Sequence, residues 1–199
     1  MIGFEWFEYE GVVYEPNPAA EVAQSLDSAR IGDAIVEGIT VPVSREGILE
    51  AREALERGNA ACAVGLGLYT PGTPQLRVEV AAVNALLVNG SLEPVDPRRP
   101  LYEPAAIPVD PLELTKGLPA RPSLSTGLYY CNALAYTLYT WSRETRKPTV
   151  FIHLPYTTTL AERLGIERHA QPLHQLVDTV YEIAARLTRR TRGNKPNHY

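Results

Sequence analysis

The sequence predicts an α/β protein: a single-domain three-layer α/β/α sandwich on a mainly parallel, twisted sheet. Stretches rich in β-branched and apolar residues alternate along the chain with segments of helical periodicity, the order that builds parallel sheets covered by helices. One stretch, "AACAVGLGLYT" (60–70), is almost wholly apolar, as expected for a central strand buried on both faces. The length of 199 residues, 45% hydrophobic and 21% charged, fits one domain with a sizeable core, spanning 1–199.

The elements follow in order. "NPAAEVAQSLDSA" (17–29) starts a helix, with Asn17 as the cap and Pro18, whose φ is already helical, in the first position. "AIVEGITVPV" (34–43) reads as a strand, and "SREGILEAREALERG" (44–58) as an amphipathic helix ending on Gly58. The apolar strand 60–70 closes on glycines and a Pro-Gly turn. From Asn89 to Pro122 prolines and turn residues recur, which predicts a surface excursion of loops and short elements. "YYCNALAYTLYTWSRET" then reads as a buried helix, "PTVFIHLPY" (148–156) as a strand, and "PLHQLVDTVYEIAARLTRR" (172–190) as a long amphipathic helix. A basic, solvated tail is expected over about 189–199.

A net charge of −4 leaves no electrostatic footprint for nucleic acid. The apolar runs are too short to span a bilayer and the N-terminus "MIGFEWFEYE" is acidic where a signal peptide is basic, so a cytoplasmic protein with no membrane partner is expected. The two cysteines, Cys62 and Cys131, are expected as free thiols, since a domain of this size in a reducing compartment needs no disulfide; no Cys/His pairing has zinc-site spacing.

Three residues could carry chemistry. Cys131 follows "SLSTG", in which Ser125 or Thr126 can cap the helix and Gly127 can take a tight turn, placing the thiol in the first helical turn where the dipole favours thiolate. A cysteine in so apolar a helix can equally be ordinary packing. His153 lies near the carboxyl end of a strand, where open α/β sheets bind ligands, and could act as a base or simply hydrogen-bond there. His169 and His174 flank a helix start and His198 lies in the tail. Glu79, in "QLRVEVAAVN" (75–84), is either a surface carboxylate or a buried one that needs a partner, and an imidazole would serve. Together they supply nucleophile, base and orienter from three elements, the logic of a thiol hydrolase.

At these residues the sequence resembles the pyroglutamyl peptidase I (pyrrolidone-carboxylate peptidase) family of cysteine peptidases. "STGLYYCNALAY" matches its Ala-Gly-x-Tyr-x-Cys-Asn block, "FIHLPY" its Phe-Ile-His-Val-Pro run and "VEVAAVN" its Glu-Arg-Val-Ala-x-Asn element, with "GFEWF" and "NPAAEVA" matching at the N-terminus. The resemblance implies Cys131 as nucleophile, His153 as general base and acid, Glu79 as the residue orienting the imidazole, and Phe4 and Phe7 as the walls holding a lactam ring. It also implies N-terminally pyroglutamylated peptides as substrates, no metal or organic cofactor, and a homo-oligomer, with a tetramer as the assembly.

Departures from the family pattern leave other readings open. Trp6 stands where the family has proline and Glu8-Tyr9 where it has glycines, so the substrate loop is expected to differ in shape. Only Met1 and Ile2 precede Gly3, so the first strand is expected to be short or missing, and Asn89 replaces an arginine near the family's site. A non-hydrolytic binding or assembly protein on the same scaffold, or a thiol hydrolase of another small amide, are the alternatives.

Overall fold

The structure, a computed structural model, describes residues 1–69, 74–166 and 169–193, with side chains as far as Arg189. Six strands form the central sheet: β1 (Ile2–Phe4), β2 (Ile39–Val41), β3 (Ala63–Leu68), β4 (Leu76–Glu79), β5 (Ala120–Ser123) and β6 (Thr149–Leu154). Their spatial order is β5-β4-β6-β3-β1-β2. Every neighbouring pair is parallel except β4 with β6. The helices are α1 (Pro18–Ser25), α2 (Arg45–Arg57), α3 (Pro111–Thr115), α4 (Tyr130–Thr145), α5 (Thr158–Arg163) and α6 (Leu173–Gly193). α2 and α4 cover one face of the sheet and α1, α3 and α6 the other, giving the expected three layers.

The core follows from the patterning. Every residue of β3 and β6 is buried, as continuous apolar strands in the middle of a covered sheet must be. α4 is buried without a break from Asn132 to Ser142, so it has no polar stripe. Close contact between layers rests on glycine. A Cβ at Gly3 of β1 would lie 2.2 Å from the Ala19 carbonyl oxygen of α1, and one at Gly65 of β3 would lie 2.4 Å from Leu138 of α4.

Several expectations are corrected. The helix at 17–29 ends at Ser25. The strand at 34–43 is two pieces: Ala34–Ile35 forms a hairpin with Arg30–Ile31, and only Ile39–Val41 enters the sheet. The break falls at Gly38, whose N–H donates to Asp27 and whose absent Cβ would otherwise lie 2.2 Å from the Ala23 carbonyl oxygen. The segment 75–84 divides after Glu79, and Ala81–Val83 leaves the sheet to pair with Pro104–Ala106. The proline-rich excursion contains, besides a hairpin at Leu86–Val88 and Ser91–Glu93, the sheet strand β5 and α3. Neither Ser125 nor Thr126 caps α4. Its cap is Tyr129, with no side-chain hydrogen bond, because Thr126 donates instead to Asn132. The first strand is present and short, and α6 continues to Gly193, into the stretch expected as tail. The Pro-Gly turn at 71–72 and His198 lie outside the described residues. No helix among the described residues is long and apolar enough to cross a membrane.

Gly3→Ala forces β1 and α1 apart through a backbone oxygen that has nowhere to move. It is expected to lower stability by about 2–3 kcal/mol, measured by denaturant unfolding.

Candidate active site

Register brings the site together. Gly67 of β3 is the parallel partner of His153 on β6, while the antiparallel β4 sets Arg77 opposite His153 and Glu79 opposite Phe151. Paired residues share a face, so all five project toward the side covered by α4. α4 begins there with Cys131 as its second residue, half-buried and in the first turn as expected. Gly127, at φ 76°, makes the left-handed turn leading into it.

Glu79 is completely buried, His153 is 3% exposed, and His153 Nδ1 lies 2.6 Å from Glu79 Oε1. That contact commits Nδ1 and turns Nε2 to the Cys131 thiol, with which the imidazole also hydrogen-bonds. Gly67 makes the approach possible, since a Cβ there would stand 2.8 Å from Cys131 Sγ and 3.5 Å from His153 Cδ2. Burial alone would depress the imidazole pKa. The Cys131 charge, its hydrogen bond and the Glu79 carboxylate outweigh burial and push His153 up to about 9. Phe151 meets the ring edge-on at 5.1 Å and Tyr69 lies tilted to it at 5.6 Å, which leaves the imidazole little freedom to turn.

Residues not singled out from the sequence hold this geometry. Asn132, fully buried, accepts from Val83 N (3.0 Å) and Thr126 Oγ1 (2.8 Å) and donates to the Val83 and Ala85 carbonyls (2.9 and 2.6 Å). It ties the first turn of α4 to the chain just beyond Glu79. The Tyr139 hydroxyl donates to the Glu79 carbonyl (2.5 Å) and accepts from Phe151 N (3.2 Å), bridging β4 and β6 from beneath. Arg77 lies with its guanidinium 3.9 Å over the Tyr69 ring and 3.5 Å from Glu79 Oε1. The sequence signal for Asn132 was its place beside the cysteine; for Arg77 and Tyr139 there was none short of the strand register.

The other candidates are placed as follows. Phe4 is 2% exposed within the main core, whereas Phe7 is half-buried, stacked on Tyr14 at 4.7 Å, and packs against a smaller cluster with Leu68, Tyr156 and Leu160. Phe7–Tyr9 and Val12–Tyr14 form a hairpin turning at Glu10-Gly11, both at positive φ. Its Tyr9 meets Tyr129 edge-to-face at 5.8 Å, with the hydroxyls 3.2 Å apart, so the residues standing for the family's glycines build an arm reaching the cap of α4. Asn17 caps α1 through Ala19 N. Asn89 is exposed in the Asn-Gly turn of the 86–93 hairpin, at φ 50°. His169 and His174 are exposed. Cys62 is a free thiol just before β3, at the end of the strand away from Gly67. Among the described residues no group of three or more His, Cys, Asp or Glu side chains is placed to hold a metal ion.

A thiol at a helix start, an imidazole near the carboxyl end of a strand and a buried carboxylate from its antiparallel neighbour, in hydrogen-bonded series, define the class as cysteine-type hydrolases. The chain belongs to the pyroglutamyl peptidase family, whose profile matches residues 1–184. It is 32% identical over 171 residues to the pyrrolidone-carboxylate peptidase of Thermococcus litoralis, covering 79% of this chain and 76% of that protein. It is 30% identical over 208 residues to that of Cupriavidus taiwanensis, covering 93% of each. The solved pyrrolidone carboxyl peptidase from Thermococcus litoralis superposes with a TM-score of 0.82 at 25% identity, over 100% of this chain and 96% of that one.

The raised pKa of His153 has a stability consequence. A histidine at 6.5 when unfolded and about 9 when folded contributes stability fully present below pH 6.5 and lost as pH rises towards 9. The stability gap between wild type and His153→Gln is therefore expected to narrow across that window, as read from denaturation midpoints at each pH.

Proposed function

We propose that the protein removes the N-terminal pyroglutamyl residue from peptides, with Cys131 as nucleophile, His153 as acid and base, and Glu79 orienting His153. The observation that carries this reading is the 2.6 Å contact between His153 Nδ1 and the fully buried Glu79, set behind a thiol on a helix start. The Cys131 thiolate attacks the amide carbonyl, and the imidazolium of His153 gives its proton to the leaving amine as the C–N bond breaks. A water, deprotonated by His153, then attacks the thioester, releasing pyroglutamate and regenerating the thiol. At the start of α4 the N–H groups of Tyr130, Cys131 and Asn132 have no intrahelical acceptor and can bind the oxyanion, each well-placed donor contributing about 3 kcal/mol.

Phe7, backed by Tyr14, offers the flat apolar wall for the lactam ring, with Phe4, buried in the core at the end of β1, as its second wall. The chain works as one domain in the reducing cytoplasm, where the thiol stays active. It works as a homo-oligomer, a tetramer, for which the exposed Tyr102 and Leu112 of the excursion, with Leu124 just beyond it, supply apolar contact surface.

A chromogenic pyroglutamyl amide tests the reading. Reduced wild type should cleave it; Cys131→Ala should lose at least about 10⁴-fold in kcat/KM, and Glu79→Gln about 10²–10⁴-fold. No turnover by folded, reduced wild type overturns the assignment, and cleavage of a different small amide by an intact Cys131 would redirect it.

A further inference from the structure

Arg77 is buried to 12% exposure, yet neither the sequence motifs nor the three proposed catalytic residues call for a cation there. Its contacts come from every side of the site. The guanidinium lies over Tyr69 at the end of β3. Its Nε donates to Ser123 Oγ at 3.0 Å, a terminal nitrogen donates to the same oxygen, and that terminal nitrogen reaches the Ser125 carbonyl at 3.3 Å. Ser123 ends β5, and Ser125 belongs to the turn that leads through Gly127 into the helix of Cys131. Glu79 Oε1 lies 3.5 Å from Arg77 Nε, a contact that is electrostatic rather than a hydrogen bond. The other carboxylate oxygen, Oε2, is buried with no hydrogen-bond partner among the described residues. One carboxylate oxygen is thus shared between an imidazole at 2.6 Å and a guanidinium at 3.5 Å.

Resting on the roles proposed for Cys131, His153 and Glu79, we infer that Arg77 is a positioning residue that fixes the Glu79 carboxylate against the turn before the nucleophile and loosens the hold of Glu79 on the His153 proton. The groups facing the pair are Tyr69 just after β3, Arg77 from β4, and Cys131 and Tyr139 from α4; Arg77 is the one fixed cation among them. An imidazole between a thiolate and a carboxylate binds its proton tightly, and a tightly held proton is slow to pass to a leaving amine. A cation on the far side of the shared oxygen opposes the imidazolium and moves its titration down towards working pH. An arginine does this and also keeps the carboxylate from turning, because its planar fork is held at Ser123 and Ser125.

The decisive measurement is the titration of the His153 ring C–H resonance by NMR, on the full chain without substrate, where four histidines are to be distinguished. Arg77→Met is expected to raise the His153 midpoint by about one pH unit, and Arg77→Lys to leave it within about 0.3 unit of wild type. Arg77→Gln, which keeps a donor for Ser123, should shift it as Arg77→Met does, separating neutralisation from loss of packing. In the chromogenic amide assay, kcat of Arg77→Met should fall about tenfold with KM within about twofold, since Arg77 does not touch substrate. A midpoint that stays or falls in folded Arg77→Met and Arg77→Gln, or a lysine variant that behaves like them, overturns the inference. Because the titration needs no substrate, wild type that fails to cleave the amide would remove the peptidase reading and leave this result readable.

Discussion

The structure is organised around one expensive contact, a fully buried carboxylate hydrogen-bonded to a nearly buried imidazole. Removing Glu79 from water is unfavourable unless its charge is compensated, and the compensation must come from side chains held in place by the surrounding layers. Three features of the fold answer that need. β4 runs against its neighbour, so that its end rather than its start meets Phe151. Tyr139 spans the two strands from below, and Arg77 closes the far side. Replacing either member of the pair leaves the other buried without its partner, so the interaction that serves chemistry also constrains the core.

α4 serves both demands at once. From Asn132 to Ser142 it is core, wedged against β3 and β6 through Leu138 over Gly65. Its first turn is the site. The two parts are joined by Asn132, whose four hydrogen bonds fasten the helix start to the segment following Glu79. A helix so tightly buried gives its first residues little freedom, which suits a nucleophile that must meet an imidazole across the gap left by Gly67. The exposed half of the site is built differently, from the hairpin at 7–14, with Tyr9 against Tyr129 and Trp6 in solvent at 57% exposure. Catalytic geometry thus rests on the rigid sheet and substrate contacts on an arm.

The alternation of elements, the helices at 18–25 and 45–57, the buried strand at 63–68 and the long last helix were legible because each is set by local periodicity and by end signals such as the Asn17 cap and Gly58. The reading failed where the chain changes partner. Gly38 breaks one run because α1 passes against it, and β5 was hidden among prolines because its partner is Leu76–Glu79, far away in sequence. The cap of α4 was misplaced because Thr126 spends its hydroxyl on Asn132. Cys131, His153 and Glu79 stood out as residue types whose chemistry fits together. Arg77 did not, since an arginine in a strand ordinarily points to water.

By itself the sequence determined the layers, the principal helices and buried strands and the three residue types from which a thiol hydrolase can be assembled, because those depend on local pattern and on side-chain chemistry. The tertiary structure decided how they meet. The antiparallel register of β4 brings Glu79 to His153, the missing side chain of Gly67 admits the Cys131 sulfur, and the pairing of β5 with β4 brings Ser123 to the Arg77 guanidinium. Each of these depends on pairings between distant segments, and a one-residue slip in β4 would turn Glu79 to the opposite face of the sheet.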